Sequence, residues 1–492
     1  MEAIYTTTGM MIRPFKPSKA GMILRARSVW MPAAHKPVPI TAYAMKDGDE
    51  STTKCLVTYR CHKEWLKQTI PEIVITDMPK NHVDKIETAM ALNADVMPND
   101  IQFAATQAVL DNNFKTCFFN IPTGVGKTLL AVYLMSILKV KSWIMCYRTI
   151  VLDQWVKTMR EKTTMDMDRV KIINSSKDLL KMASGEFPFD DYDVYLSTPM
   201  ILTKFAEKHG LDLLNEVYNN CGIGVKFFDE AHYNIGNITK INGLTNIERT
   251  YYLSADFGPC EPTRQKLYLK MFANVPVIRP REELAKSMQF TNAIVVRYNT
   301  HPSLNSIEGT FTKFGFNHNK YMEYQLTQDA FYHAFTSVLD TIQKTNSDRK
   351  YKTLFLCTLI DHVDYFKEWL VNYYCKNVPE DQRPKVVRYH SQMPEDERDD
   401  ALENGQVIVS TYQSMGVGVD LQMIRYVVAL SPVNSIEDNQ AAGRARALPD
   451  GEDCFYFMFV DDGFSYVKEK LPYRLSYLEK QKVKKIYSIK YS

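Results

Sequence analysis

The sequence predicts an α/β protein, two tandem parallel-sheet domains behind a small N-terminal α+β domain, and three observations lead there. Short apolar runs ending in polar residues alternate with helical stretches over residues 91–275, and the same alternation returns over 276–470. Strand–helix alternation of this kind builds parallel sheets. The chain has 492 residues, 45% apolar and 12% aromatic, which suffices for two or three ordered domains with their own cores. Only the first series carries a glycine-bearing loop between a strand and a helix, Ile121-Pro122-Thr123-Gly124-Val125-Gly126-Lys127-Thr128.

Residues 1–90 are rich in Pro, Met and Thr, with strand-like runs at 40–45 and 54–59 and a helical pattern at 63–69. Residues 1–46 hold seven basic side chains (Arg13, Lys16, Lys19, Arg25, Arg27, Lys36, Lys46) against one acid, Glu2. Arg25, Arg27, Trp30, Lys63 and Trp65 combine charge with aromatic surface, as in modules that track a nucleic-acid backbone and stack bases. The same residues fit a capping domain with Trp30 and Trp65 in its core. Strands of the first series fall at 116–120, 142–147, 170–174, 194–197, 225–228 and 251–254. Those of the second fall at 293–297, 353–357, 385–390, 407–410, 426–430 and 454–459. Residues 471–492, with Lys480, Lys482, Lys484, Lys485 and Lys490, read as a basic tail suited to a polyanion or to solvent.

Several classes are excluded. The nine cysteines are odd in number and include no C-x₂-C pair, so neither a disulfide framework nor a zinc site is expected. No signal peptide and no long apolar run is seen, which points to a soluble, cytoplasmic protein (host cytoplasm if viral) with no membrane partner. A net charge of +3 is too small to argue from.

The loop has a specific chemistry. Gly124 and Gly126 let backbone N–H groups approach phosphate oxygens. Lys127 supplies a mobile charge for the outer phosphates, the Thr128 hydroxyl can ligate Mg²⁺, and the following helix presents its positive end. A second apolar run, 225–228, ends in Asp229-Glu230-Ala231-His232. Asp229 at a strand end can hold Mg²⁺ through water, and Glu230 can orient or deprotonate an attacking water. Together these read as an ATP-hydrolysing site.

Over roughly residues 95–465 the chain resembles superfamily 2 helicases and translocases, in particular phage UvsW-type recombination helicases and their branch-migration and DNA-repair relatives. The resemblance lies in ordered motifs. Ile101-Gln102 resembles the glutamine element that reads adenine, and the 121–128 loop fits with Ile121 where the strict phosphate-loop pattern has glycine. Cys146-Tyr147-Arg148-Thr149, with Gln154-Trp155 behind, and Ser197-Thr198-Pro199 resemble strand-contacting motifs. Asp229-Glu230-Ala231-His232 spells the family's DEAH box, and Leu253-Ser254-Ala255-Asp256 stands in the coupling motif. In the second series, 354–358, Tyr389-His390-Ser391 with Arg398, Ser410-Thr411-Tyr412-Gln413 with Gly416-Val417-Gly418-Val419-Asp420, and Gln440-Ala441-Ala442-Gly443-Arg444-Ala445-Arg446 continue the order.

The resemblance implies two RecA-like domains sharing one ATP and Mg²⁺. Lys127, Asp229, Glu230, Gln440, Arg444 and Arg446 would be catalytic. Gln102, Thr123, Gly124, Val125, Gly126, Lys127, Thr128, Gly418 and Asp420 would bind nucleotide, with Thr128 and Asp229 at the metal. Arg148, Thr149, Thr198, Thr358, Thr411 and Gln413 would contact nucleic-acid backbone, and His232, Ser254 and Ala255 would couple the sites. The family pattern places its last arginine at 447, which is Ala447, so Arg446 sits one residue early, about 100° around a helix. Either Arg444 or Arg446 could then reach the γ-phosphate. The implied protein is a monomeric DNA-dependent ATPase that moves on DNA and unwinds or remodels branched recombination and replication intermediates. An RNA helicase, a translocase that does not unwind, and a regulatory ATPase module are the alternatives. Tyr147, Asp256 and the shifted Arg446 favour the last; intact Lys127, Thr128, Asp229 and Glu230 oppose it.

Overall fold

The computed structural model describes residues 1–14, 28–31, 36–39, 43–46, 54–60, 62–86, 90–122, 124–232, 235–255, 272, 275–281, 289–303, 308–312, 315–416, 421–431, 435–445, 447–481 and 483–491. The chain forms two compact units, Met1–Pro280 and Arg281–Ser492.

The first unit contains a seven-stranded sheet. Its strands run in the order Val170–Ile172, Val194–Ser197, Ser142–Met145, Val225–Phe228, Arg249–Ser254, Thr116–Asn120 and Val277–Ile278, all parallel. Every residue of Ser142–Met145, Val194–Ser197 and Val225–Phe228 is buried, the mark of strands covered by helices on both faces. This is why those runs are mostly apolar and do not alternate, Lys226 being the one charged residue among them. The register aligns the strands' carboxyl ends: Asn120 lies opposite Ser254, and Met145 is flanked by Phe228 and Ser197. Ligands of open parallel sheets bind beyond that edge.

The same unit holds a five-stranded mixed sheet, ordered Tyr43–Lys46, Lys54–Tyr59, Gly9–Arg13, Glu2–Tyr5 and Val74–Asp77, with the helix Lys63–Thr69. Its small core includes Ala3, Tyr5, Met10, Ile12, Leu56, Leu66 and Ile70, and Trp65 packs against it. Trp65 is partly buried against that core; the side chains of Arg25, Arg27 and Trp30 lie outside the described residues. The sheet docks on the helix Ile235–Leu244, where Thr6 Oγ1 donates to the Asn242 carbonyl at 2.6 Å. Gly9 and Gly243 meet backbone to backbone; a Cβ on Gly9 would lie 2.7 Å from Gly243 Cα.

The second unit holds another all-parallel sheet, in the order Val386–Tyr389, Val407–Thr411, Lys352–Cys357, Ile424–Ala429, Cys454–Asp461, Thr291–Tyr298 and Val483–Lys490. Two tandem parallel-sheet domains and a small N-terminal domain with a mixed sheet match the expected fold class. The structure differs at residues 471–492. That stretch ends the helix Ser465–Gln481 and then forms an edge strand paired with Thr291–Tyr298. The physical reason is that Val483 is buried and Ile486 partly so, giving apolar anchors between the lysines, and Lys484 is neutralised by Asp453 at 2.9 Å. Among the described residues no helix is long and apolar enough to cross a membrane.

Candidate functional site

The expected catalytic residues of the first unit converge beyond the carboxyl edge of its sheet. The loop leaving Thr116–Asn120 turns through Gly124 (φ +85°) and Gly126 (φ +84°), a left-handed geometry that costs little only for glycine. Gly126 then caps the helix Lys127–Leu138, whose positive end faces the loop. At Gly126 an added Cβ would lie 2.6 Å from Gln102 Nε2.

Gln102 braces this loop from behind. Its Nε2 donates to the carbonyls of Val125 (2.8 Å) and Gly126 (3.0 Å). Its Oε1 accepts from the backbone of Asn99, whose side chain accepts from the Gln102 N–H in return, a reciprocal capping box that starts the helix Asp100–Asp111. Gln102 is buried and its amide is committed to the loop. In this arrangement it shapes the phosphate cradle, and the adenine contact expected of it would require releasing those bonds.

Opposite the loop, Asp229 and Glu230 end the Val225–Phe228 strand, both buried. Lys127 Nζ lies 3.2 Å from Glu230 Oε1. Asp229 Oδ1 accepts from the Glu230 N–H and Oδ2 accepts from the indole N–H of Trp155, each at 2.9 Å. Burial, and then the neighbouring Glu230 charge, push the Asp229 carboxyl up to about 6, against the pull of Lys127 and of those two donors. The same two carboxylates, after burial itself, push the Cys146 thiol up. Glu230 has φ +45°, a conformation a non-glycine side chain adopts at a cost of roughly 1–3 kcal/mol and one concentrated at functional sites. It is held there by its own N–H bond to Asp229 and by Ala231 N–H donating to the Leu253 carbonyl at 3.1 Å.

Between the loop strand and the Asp229 strand lies Arg249–Ser254, and this placement explains the coupling residues. His232 Nδ1 is 2.7 Å from Ser254 Oγ and 3.3 Å from Glu230 Oε2, so one ring bridges the carboxylate and the intervening strand. Ile121 N–H donates to the Ser254 carbonyl at 3.0 Å, tying the loop to the same residue. Ala255 is buried next in sequence.

The expected strand-contacting residues follow neighbouring strand ends. Arg148 caps the helix Thr149–Lys162 and lies 4.9 Å from the Tyr147 ring centroid. Thr149 is exposed, and Thr198 caps the helix Pro199–His209. In the second unit, Thr358 Oγ1 is 3.3 Å from His362 Nδ1 and Gln413 is exposed. Thr411 is buried and its hydroxyl bonds Ser414 twice, capping the helix Tyr412–Gly416. It does not itself face solvent, so the expected backbone contact is not open to it in this arrangement. Gln440 is buried on the helix Ser435–Ala442, and Arg444 stands in the turn after it, its N–H donating to the Ala441 carbonyl. The helix ends at Ala442. Thr123, Gly418, Asp420 and Arg446 lie outside the described residues, as does Asp256.

Trp155 was visible in sequence only as a residue behind a motif; its bond to Asp229 joins residues 74 apart. Helical periodicity marks such a tryptophan as core and carries no signal for what its N–H meets.

The residues present fit a polyphosphate with a hard cation. The cradle is built from left-handed glycines, a lysine and a helix N-terminus, and the nearby donors Thr128 and Asp229 are oxygen ligands of the kind Mg²⁺ takes.

A family model described as "Type III restriction enzyme, res subunit" matches residues 95–255. A second, "Helicase conserved C-terminal domain", matches residues 334–447. Among solved structures, S. cerevisiae Dbp5 bound to RNA and ADP BeF3 superposes with a TM-score of 0.52 at 14% identity, covering 80% of this chain and 90% of that one. No curated protein matches the sequence.

Proposed function

We propose that this chain, which belongs to the superfamily 2 helicases and is thus a nucleic-acid-dependent ATPase, spends ATP to move on DNA and to unwind or remodel branched intermediates. The observation that carries the catalytic half is the Lys127–Glu230 pair beside Asp229. Lys127 Nζ sits on the carboxylate that must act as base. Anionic phosphates entering the cradle compete for the lysine and release Glu230 to orient and deprotonate water, so base activation waits on substrate. Thr128 and Asp229 would hold Mg²⁺, which when bound would neutralise charge on the outer phosphates. His232 carries the state of Glu230 to Ser254 and so to the loop. Arg444 and Arg446 are the candidates for the guanidinium that stabilises the transferred phosphoryl group.

The DNA assignment rests on the resemblance to phage UvsW-type helicases and not on the motif residues, which would contact backbone. The RNA reading has in its favour the likeness to an RNA-bound structure. We propose a monomer that contacts backbone through Arg148, Thr149, Thr198, Thr358 and Gln413, since hydroxyl and guanidinium contacts to phosphate read no base identity.

The test is ATPase and strand-displacement activity on single-stranded DNA, forked DNA, four-way junctions and RNA. Stimulation should be largest with branched DNA and should vanish in Lys127→Ala and Glu230→Gln. Stimulation by RNA alone would overturn the DNA reading. Hydrolysis surviving in both variants would overturn the catalytic one.

A further inference from the structure

A buried tryptophan can satisfy its ring by packing alone, but its N–H must find an acceptor. Trp155 is fully buried, and its acceptor is Asp229 Oδ2 at 2.9 Å. With Oδ1 taken by the Glu230 N–H, each carboxylate oxygen is held by one donor and keeps one lone pair for a cation. The two bonds together fix the plane of the carboxylate. An indole N–H can only donate, so this partner suits an ionised carboxylate in one orientation.

Trp155 also belongs to a particular helix. Thr149–Lys162 starts directly after Arg148, and its first residue, Thr149, is exposed. Six residues separate Thr149 from Trp155, about 9 Å along the axis of a rigid helix. The start of this helix thus carries two residues proposed to meet nucleic-acid backbone, and its middle touches the carboxylate proposed to meet the metal.

We infer that Trp155 is a positioning residue: its N–H sets the Asp229 carboxylate for the cation, and its helix transmits strand engagement at Arg148 and Thr149 to that carboxylate. The inference rests on the ATPase reading above and deepens it by naming a route from polymer to metal. Partners that orient metal ligands are worth about 10–100-fold in metal affinity in other sites, which sets the size of the expected effect.

The experiment uses the full chain and Trp155→Phe, which keeps an aromatic ring in the core while removing the N–H together with part of the indole. Binding of a fluorescent ADP is titrated with and without Mg²⁺, and ATPase is measured with and without a single-stranded oligonucleotide. In the variant, the tightening that Mg²⁺ gives to ADP binding should shrink about tenfold, while Mg²⁺-free affinity stays put. The fold-stimulation by oligonucleotide should fall as well. A folded variant with the parent's Mg²⁺ dependence and stimulation, changed only in unfolding temperature, makes Trp155 a packing residue and overturns the inference. Should the variant fail to fold, the indole N–H resonance of Trp155 in the parent protein decides: it should shift on adding oligonucleotide and Mg²⁺·ADP, and an unmoved signal overturns the proposal. A parent enzyme that no nucleic acid stimulates would sink the functional reading and the transmission step, and the Mg²⁺ titration would still judge whether Trp155 sets Asp229.

Discussion

Lys226 lies in the middle of the Val225–Phe228 strand, 1% exposed, three residues before Asp229. Its Nζ donates to Thr245 Oγ1 at 3.0 Å and lies 5.8 Å from the Phe228 ring centroid. Burial pulls its ammonium from 10.5 down to about 7. An ammonium with a hydroxyl partner in an apolar core is costly, and replacing it with methionine should stabilise the first unit. Thr245 loses nothing essential, since its hydroxyl already donates to the Ile241 carbonyl at 3.0 Å.

The magnitude follows from linkage. The gap between about 7 and 10.5, at about 1.36 kcal/mol per pH unit, makes the charge penalty roughly 5 kcal/mol when the folded state must carry the proton. The folded pKa is the depressed one, so between about 7 and 10.5 the unfolded chain binds more protons and parent stability climbs with pH. The advantage of Lys226→Met should therefore be greatest below pH 7 and should shrink by about 2.5 kcal/mol between pH 6 and pH 9. Titrations elsewhere cancel in the difference between the two proteins. Native-state hydrogen exchange on peptides covering 142–145 and 225–228 reads this unit, with peptides from the second unit as internal control. A difference between parent and variant that does not change with pH would refute the reasoning, as would a variant less stable than the parent at pH 6.

Two further outcomes follow from the geometry. Gly124→Ala and Gly126→Ala both strain a left-handed backbone, but only the second drives a Cβ into Gln102, so nucleotide affinity measured by calorimetry should fall at least several-fold further for Gly126→Ala. In the second unit the buried Asp438 accepts from both Arg474 and Tyr456, at 2.7 Å from Arg474 Nη2 and 2.6 Å from Tyr456 Oη. Arg474→Met strands that carboxylate and should cost about 3–5 kcal/mol in denaturant unfolding, with Arg474→Met/Asp438→Asn recovering much of the loss.

The one-dimensional pattern was enough for the two parallel sheets and for the loop. Strands buried on both faces are predominantly apolar, and a phosphate cradle needs its glycines, lysine and helix start within eight consecutive residues, so both leave local signatures. The second sheet's edge strand was illegible because Val483–Lys490 is mostly exposed and lysine-rich, and only pairing with Thr291–Tyr298 makes it a strand. The short Val277–Ile278 strand escaped notice for want of length.

At the site, the chain by itself determined which chemical groups are present: Lys127, Thr128, Asp229, Glu230 and His232 can be named from local motifs. Tertiary structure decided what each group touches. Lys127 meets Glu230 across 103 positions of sequence, Trp155 meets Asp229, Gln102 turns to the loop backbone, and His232 meets Ser254 because the Arg249–Ser254 strand lies between its neighbours in the sheet. Strand order in a parallel sheet is set by how helices and crossovers pack, which no local window of residues encodes, and that order chooses the partners.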